Sequence, residues 1–140
     1  MAGFLLDTNV ISELRKGPRC NANVRAWIES RNSNELFISV LALAEIRDGV
    51  EGIRARDPEQ AARLESWLFD TATRFEDRLI AVTPRVADRW GRLRTPQPLP
   101  DFNRLIAATA VEHGLRIATR NIRDFARAGV EVFNPWEPEG

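Results

Sequence analysis

Three carboxylates stand where they could act together. Asp7 follows the apolar run Phe4 to Leu6, Glu45 lies about one turn into the helical stretch after a second run, and Asp124 comes just past a fourth. If those runs are strands of one parallel sheet, all three acids face the same edge. Carboxylate oxygens suit hard ions such as Mg2+ or Mn2+ far better than zinc, so the set is a candidate metal site. Simpler roles stay open for each: Asp7 as the cap of the next helix, Glu45 as a solvated helical residue, Asp124 as a first-turn acid after an Asn121 cap.

Other chemistries are excluded by residue type. A Ser-His-Asp set needs a histidine, and the only one, His113, adjoins Gly114 at a predicted helix C-terminus, where it complements the helix dipole. There is no GxxxxGK[ST] loop and no GxGxxG turn, hence no phosphate cradle for a nucleoside triphosphate or a dinucleotide. A receiver-type phosphoacceptor would want a lysine near its acids, yet the sole lysine, Lys16, lies in the first helical segment. The single Cys20 excludes an internal disulfide and multi-cysteine zinc sites, and it suits a reducing cytoplasm, the expected location. The start MAGFLLDTNV is expected to act as neither signal peptide nor anchor, and no apolar run approaches the roughly 20 residues that cross a bilayer, so no membrane association is expected.

The elements that must position the acids follow from periodicity and punctuation. Phe4 to Leu6 reads as a buried strand stopped by Asp7, and Val10 to Lys16 as a helical segment closed by Gly17 and Pro18. Val24, Trp27 and Ile28 recur at helical spacing. Leu36 to Val40 reads as a second strand, with Ser39 capping a helix that runs to Ile53. Asp57 and Pro58 open the longest helix, whose Leu64, Trp67, Leu68 and Phe75 share one face. A short third strand is predicted over Ile80 to Val82, then a helix from Pro84, then the proline-bearing loop Thr95 to Pro100. Asp101 is expected to cap a helix over Phe102 to Glu112. Leu115 to Ala118, a helix over Ile122 to Ala128, and Val130 to Phe133 complete the series.

Strands alternating with helices imply an α/β fold, with a mainly parallel sheet of about five strands flanked by helices. Its ligand site should lie outside the carboxyl ends of the strands. A chain of 140 residues suits one domain, residues 1–140. With 44% hydrophobic and 29% charged residues it can build a core, which excludes intrinsic disorder.

Twenty basic residues balance twenty acidic ones, so no global positive field draws the protein onto nucleic acid, and any such contact must be local. All the basic residues but Lys16 are arginines, whose planar fork suits phosphates, although codon usage of a GC-rich genome is the simpler explanation of the bias. Arg85, Arg89 and Arg92 share a helical face that is either a rim for backbone phosphates or a solvated surface.

The segments FLLDTNVISEL, SVLALAEIRDGV, NRLIAATAVEHGLRIATRNIRDF and GVEVFNPW, in that order, resemble a PIN-domain ribonuclease, specifically the VapC and FitB-like toxins. The resemblance covers nearly the whole chain. It implies a PIN-like fold and an endoribonuclease toxin of a type II toxin–antitoxin pair, using Mg2+ or Mn2+ held by clustered acids. Asp7, Glu45 and Asp124 match three family acids, while Thr8, Asn9, Thr119 and Asn121 match supporting positions. RNA as substrate, a cognate antitoxin whose tail covers the active site, and a homodimer are implied in the same way. Trp27 and Trp67 could serve such contacts, though both lie on helical stripes that suit the core.

One position departs from the family. The fourth acid should stand two residues before LIAATA, where this chain has Asn103. An amide keeps one acceptor oxygen and nearly the same shape but carries no charge, so metal affinity should fall while the fold survives. The exchange is of the kind used to disarm a nuclease for expression, and a natural weakening is the other explanation. Two functions therefore compete: a metal-dependent endoribonuclease, weakened or inactivated here by Asn103, and an inactive PIN-like module that sequesters RNA or antitoxin.

Overall fold

A computed structural model describes residues 3–138. The strands are β1 (Phe4–Leu6), β2 (Leu36–Ser39), β3 (Leu79–Ile80), β4 (Arg116–Ala118) and β5 (Val132–Phe133). The helices are α1 (Thr8–Leu14), α2 (Ala22–Ser30), α3 (Val40–Arg54), α4 (Pro58–Arg74), α5 (Pro84–Arg92), α6 (Asp101–His113) and α7 (Ile122–Ala126), with single 3-10 turns at Gly17–Arg19, Ser33–Glu35 and Glu76–Arg78. The strands form one sheet in the order β3-β2-β1-β4-β5, and every neighbouring pair is parallel. The expected α/β fold is therefore present.

Strand order reverses beside β1. The chain moves outward through β2 and β3, then returns to lay β4 on the other flank of β1. Such a reversal splays the connecting segments at the carboxyl edge and leaves a crevice there. Both faces of β1 are covered. Phe4 and Leu6 point into one core with Ile38, Val24 and Trp27, while Leu5 points into another with Ile106, Ile117 and Phe125. Alternation along a strand divides the side chains in this way, and burial on both faces explains an uninterrupted apolar run.

Caps fix where the helices begin. Ser39 Oγ accepts the Leu41 N–H at 3.0 Å, and Asp57 Oδ1 accepts the Gln60 N–H at 3.1 Å. Asp101 does not cap α6. Pro100 holds the cap position without a side-chain bond, and Asp101 is the exposed first helical residue, 3.8 Å from Arg104. The proline's fixed φ and missing N–H make it a ready boundary, and Asp101 instead adds a negative charge to the first turn. Gly114, at φ 64°, ends α6 and turns the chain into β4, so α6 runs back along β4 and its first turn stands toward the carboxyl edge.

The outer strands are shorter than their apolar runs. β3 ends at Ile80 because Val82 is already 39% exposed, and Arg78 pins the strand's start by donating to the carbonyls of Ser33 and Leu36. β5 keeps Val132–Phe133, while Val130 packs into the core before the strand begins. α3 and α4 are bridged on the surface by Arg47 and Arg54, both paired with Glu65. Among the described residues no helix is long and apolar enough to cross a membrane.

Glu13 ties the first two helices together. Its carboxylate accepts the Asn21 N–H at 2.8 Å and pairs with Lys16 at 3.0 Å, and Asn21 in turn caps α2. The Asn21 bond first, then Lys16, holds the Glu13 carboxyl below its ordinary range. A depressed acid stabilises the fold above the unfolded titration, and that contribution disappears as pH falls through the folded value. Glu13→Gln should accordingly cost about 1 kcal/mol at pH 7. Thermal melts across pH should show the difference closing on the acid side.

Candidate functional site

Asp7 is the first residue beyond β1, and its own N–H donates to the Ala118 carbonyl of β4 at 2.9 Å. This bond locks the ends of the two central strands together. The Asp7 side chain, 7% exposed, accepts three donors: the Thr8 N–H at 2.9 Å, Thr119 Oγ1–H at 2.8 Å and Asn9 Nδ2–H at 3.4 Å. Asp7 is thus both the cap of α1 and a buried carboxylate. Thr119 stands just past β4 and is fully buried, so the second donor comes from the neighbouring strand's end.

The network extends in both directions. On one side Thr8 Oγ1 donates to Glu45 Oε1 at 2.7 Å, which joins α1 to α3. On the other, the Asn121 N–H donates to Thr119 Oγ1 at 2.9 Å, and Asn121 Nδ2 donates to Asp124 Oδ2 at 3.1 Å. Asn9 crosses the centre, donating to Thr119 Oγ1 at 3.3 Å and accepting the Arg120 N–H at 3.4 Å. A continuous hydrogen-bonded line therefore runs Glu45, Thr8, Asp7, Thr119, Asn121, Asp124. It crosses the strand-order reversal and includes seven of the residues singled out in the sequence, with Asn9 at its centre. Asn121 does not cap α7 with its side chain; its amide is spent on Asp124 instead.

Asn103 is the third residue of α6, half-buried, and its side chain makes no hydrogen bond among the described residues. The direction of α6 places it toward the carboxyl edge. Arg85, Arg89 and Arg92 lie elsewhere. Arg85 and Arg89 pair with Glu112 at 3.8 and 3.0 Å, and Arg92 pairs with Asp88 at 2.8 Å. Glu112 is nine residues along α6 from Asn103, about 13 Å along a helix axis. The arginine face is thus paired and set at the far end of α6.

Charge at the acid line is unbalanced. Among the described residues neither Asp7 nor Glu45 has an ion pair, while Asp124 has Arg127 at 3.6 Å. Burial pushes the Asp7 carboxyl above its ordinary value; the bonds from Thr119 and Thr8 oppose this, and the Glu45 charge adds to it. No three acidic, histidine or cysteine side chains among the described residues form a group tight enough to hold one ion. Even so, the donors are all oxygens, and the charge of Asp7 and Glu45 lacks a cation, which is the chemistry a hard divalent ion answers. The residues fit Mg2+ or Mn2+ in kind.

A groove of about 250 Å³ opens beside Thr8 and Glu45 and continues past Ser12, Arg15, Ile46 and Trp67 between α1, α3 and α4. Trp67 lines it and is half-buried. Trp27, by contrast, is core, 3% exposed and edge-on to Phe4 at 4.9 Å. Sequence reasoning passed over Arg120 and Trp136, although both sit inside quoted segments. The Arg120 guanidinium lies 4.6 Å from the Trp136 ring centroid, and the Arg120 main-chain N–H joins the acid line through Asn9.

The description PIN domain matches residues 4–131. The chain is 36% identical over 139 residues to VapC ribonuclease Y4jK of Sinorhizobium fredii, covering 96% of this chain and 99% of that protein. It is 34% identical over 140 residues to Toxin FitB of Neisseria gonorrhoeae, covering 95% and 98%. The crystal structure of DNA-bound VapBC from Salmonella typhimurium superimposes with a TM-score of 0.75 at 25% identity, over 98% of this chain and all of that one (100%). The chain belongs to the PIN-domain family, among the VapC/FitB-like toxins of VapBC toxin–antitoxin systems.

Proposed function

We propose that this chain is a Mg2+- or Mn2+-dependent endoribonuclease toxin built as one PIN domain over residues 1–140. The observation that carries the reading is the hydrogen-bonded line from Glu45 to Asp124, with Asp7 buried within it and, among the described residues, no ion pair on Asp7 or Glu45. Family membership supplies the reaction class: hydrolysis of an RNA phosphodiester.

Asp7, Glu45, Asp124 and the carbonyl oxygen of Asn103 would hold the ion. When bound, it supplies Lewis acidity, lowering the pKa of water and offsetting charge on the phosphate. The protein's own part is orientation. Thr119 and the Thr8 N–H fix the Asp7 carboxylate, Thr8 Oγ1 fixes Glu45, and Asn121 fixes Asp124, so each acid presents one defined face. Such prior fixing spares the site from ordering its ligands during the reaction.

A cognate antitoxin is the expected protein partner. The groove from Glu45 to Trp67 offers its chain a half-apolar track ending at the acids. A basic side chain arriving there would neutralise the charge that Asp7 and Glu45 leave exposed to each other. A homodimer is carried as part of the same reading.

The position of Asn103 gives the direct experiment. Calorimetry with Mn2+ should show Asn103→Asp binding about tenfold tighter than the unaltered chain, because a formal charge is added to the ligand set. RNA cleavage assayed in the same samples should appear or rise with it. Equal binding in both proteins with no cleavage in either would defeat the four-ligand reading and favour an inactive module that sequesters RNA or antitoxin.

Asp7 yields a second expectation from its raised titration. A buried acid whose folded pKa lies above its unfolded value weakens the fold while charged, and the penalty fades as pH falls through the folded value. In chelator at pH 7, Asp7→Asn should therefore melt higher than the parent, by on the order of 1 kcal/mol in stability. The gain should shrink toward acid pH. A melting temperature that drops at neutral pH would mean the Asp7 bonds, rather than its charge, dominate.

A further inference from the structure

Arg120 stands in the chain between the two residues that hold the acids. Thr119 on one side bonds Asp7, and Asn121 on the other bonds Asp124. Its backbone N–H is itself spent on Asn9. The main chain at Arg120 is therefore fixed to the acid line by its two neighbours' bonds and its own, while its side chain is exposed.

That side chain is nonetheless held. The guanidinium lies over the Trp136 indole, and Trp136 packs on the core around Phe4 and Trp27. The Trp136 carbonyl accepts Asn23 Nδ2–H at 2.7 Å, and its N–H donates to Asn134 Oδ1 at 3.0 Å. A guanidinium held against an aromatic ring by its charge keeps N–H donors for a further partner. Glu13, the carboxylate whose titration senses Arg120, spends its oxygens on Asn21 and Lys16. Arg120 has no ion pair among the described residues, in contrast with Arg85, Arg89, Arg92 and Arg127.

We propose that Arg120, stacked on Trp136, is a phosphate-binding residue of the RNA site, gripping the sugar–phosphate backbone of single-stranded RNA beside the phosphodiester presented to the acids. The assignment rests on the ribonuclease reading. A preoriented planar fork suits a phosphate's paired oxygens, and its main chain is bonded into a line whose Asp7 and Glu45 have no ion pair among the described residues.

Counterion release separates this role from a structural one. A short single-stranded RNA is titrated by fluorescence anisotropy across a potassium chloride series, using the unaltered chain, Arg120→Gln, Arg120→Lys, and Arg63→Gln as an exposed charge control on α4. Arg120→Gln should lose roughly tenfold in affinity at low salt, and its slope of log affinity against log salt should flatten by about 0.7. The Arg63 control should keep the parent slope. Arg120→Lys should keep the slope and lose about three- to fivefold in affinity, since the charge remains and the fork is gone.

A parent slope in Arg120→Gln, with salt-dependent binding by the unaltered chain, overturns the assignment and leaves the ribonuclease reading standing. Equal flattening in the Arg63 control also overturns it, because the effect is then one of net charge. If Arg120→Gln melts well below the parent, Arg120→Lys decides, and an affinity equal to the parent's rejects the stacked fork. RNA binding absent from the unaltered chain brings down both readings together.

Discussion

Everything at the carboxyl edge depends on one carboxylate being kept out of water. Asp7 follows the central strand, where both flanking strands and both core layers crowd in, and little of its surface is exposed. A charge in such a place is expensive unless hydrogen-bonded, and the donors that meet it come from three places: the Thr8 main chain, Asn9 on α1 and Thr119 beyond β4. Those donors are the reason the edge is ordered. Each is bonded onward, so satisfying one buried charge draws α1, α3, β4 and α7 into register with it.

Topology turns this local demand into a site. Residues 7 and 119 are far apart in the chain, yet the return of β4 to the flank of β1 makes them neighbours through the Asp7 to Ala118 main-chain bond. The same return sends α6 back along β4 and lifts its first turn, with Asn103, toward that edge. Phe125, fully buried in the second core, anchors the short helix that carries Asp124. Five residues of helix could not hold a side chain in place by themselves, since isolated short helices are marginal in water. Position there comes from packing beneath and from Asn121 alongside.

What the sequence made readable were features with local causes. The apolar run before Asp7, the Ser39 and Asp57 caps, and the Gly114 stop each depend on a few adjacent residues, and each stands where expected. Strand ends were less readable, because β3 and β5 are trimmed by what lies beside them: Val82 meets solvent, and Val130 meets the core first. Asp101 had the right residue type for a cap, yet the preceding proline took the position. The arginine face of α5 was visible as periodicity, but its pairing with Glu112 bridges two helices across 23 residues, and no spacing rule on one helix reveals it. Arg120 and Trp136 were hidden for the same reason, since a stack between residues 16 apart in irregular chain has no period.

The zero net charge conceals an uneven surface. Arginines on α3 and α5, and Arg127 beyond α7, are matched with Glu51, Glu65, Glu112, Asp88 and Asp124, which cancels much of the basic charge locally. The acid line is not matched in this way at Asp7 and Glu45. A polyanion approaching that edge meets repulsion from both, and exposed paired arginines elsewhere do little to offset it, because solvent and salt screen charges beyond roughly 8 to 10 Å. Attraction must therefore come from cations within that distance: an ion held by the acids themselves, and basic groups fixed beside them without a carboxylate partner. The neutral composition thus places a strict local requirement on the edge, and the residues flanking Asp7 and Asp124 must meet it.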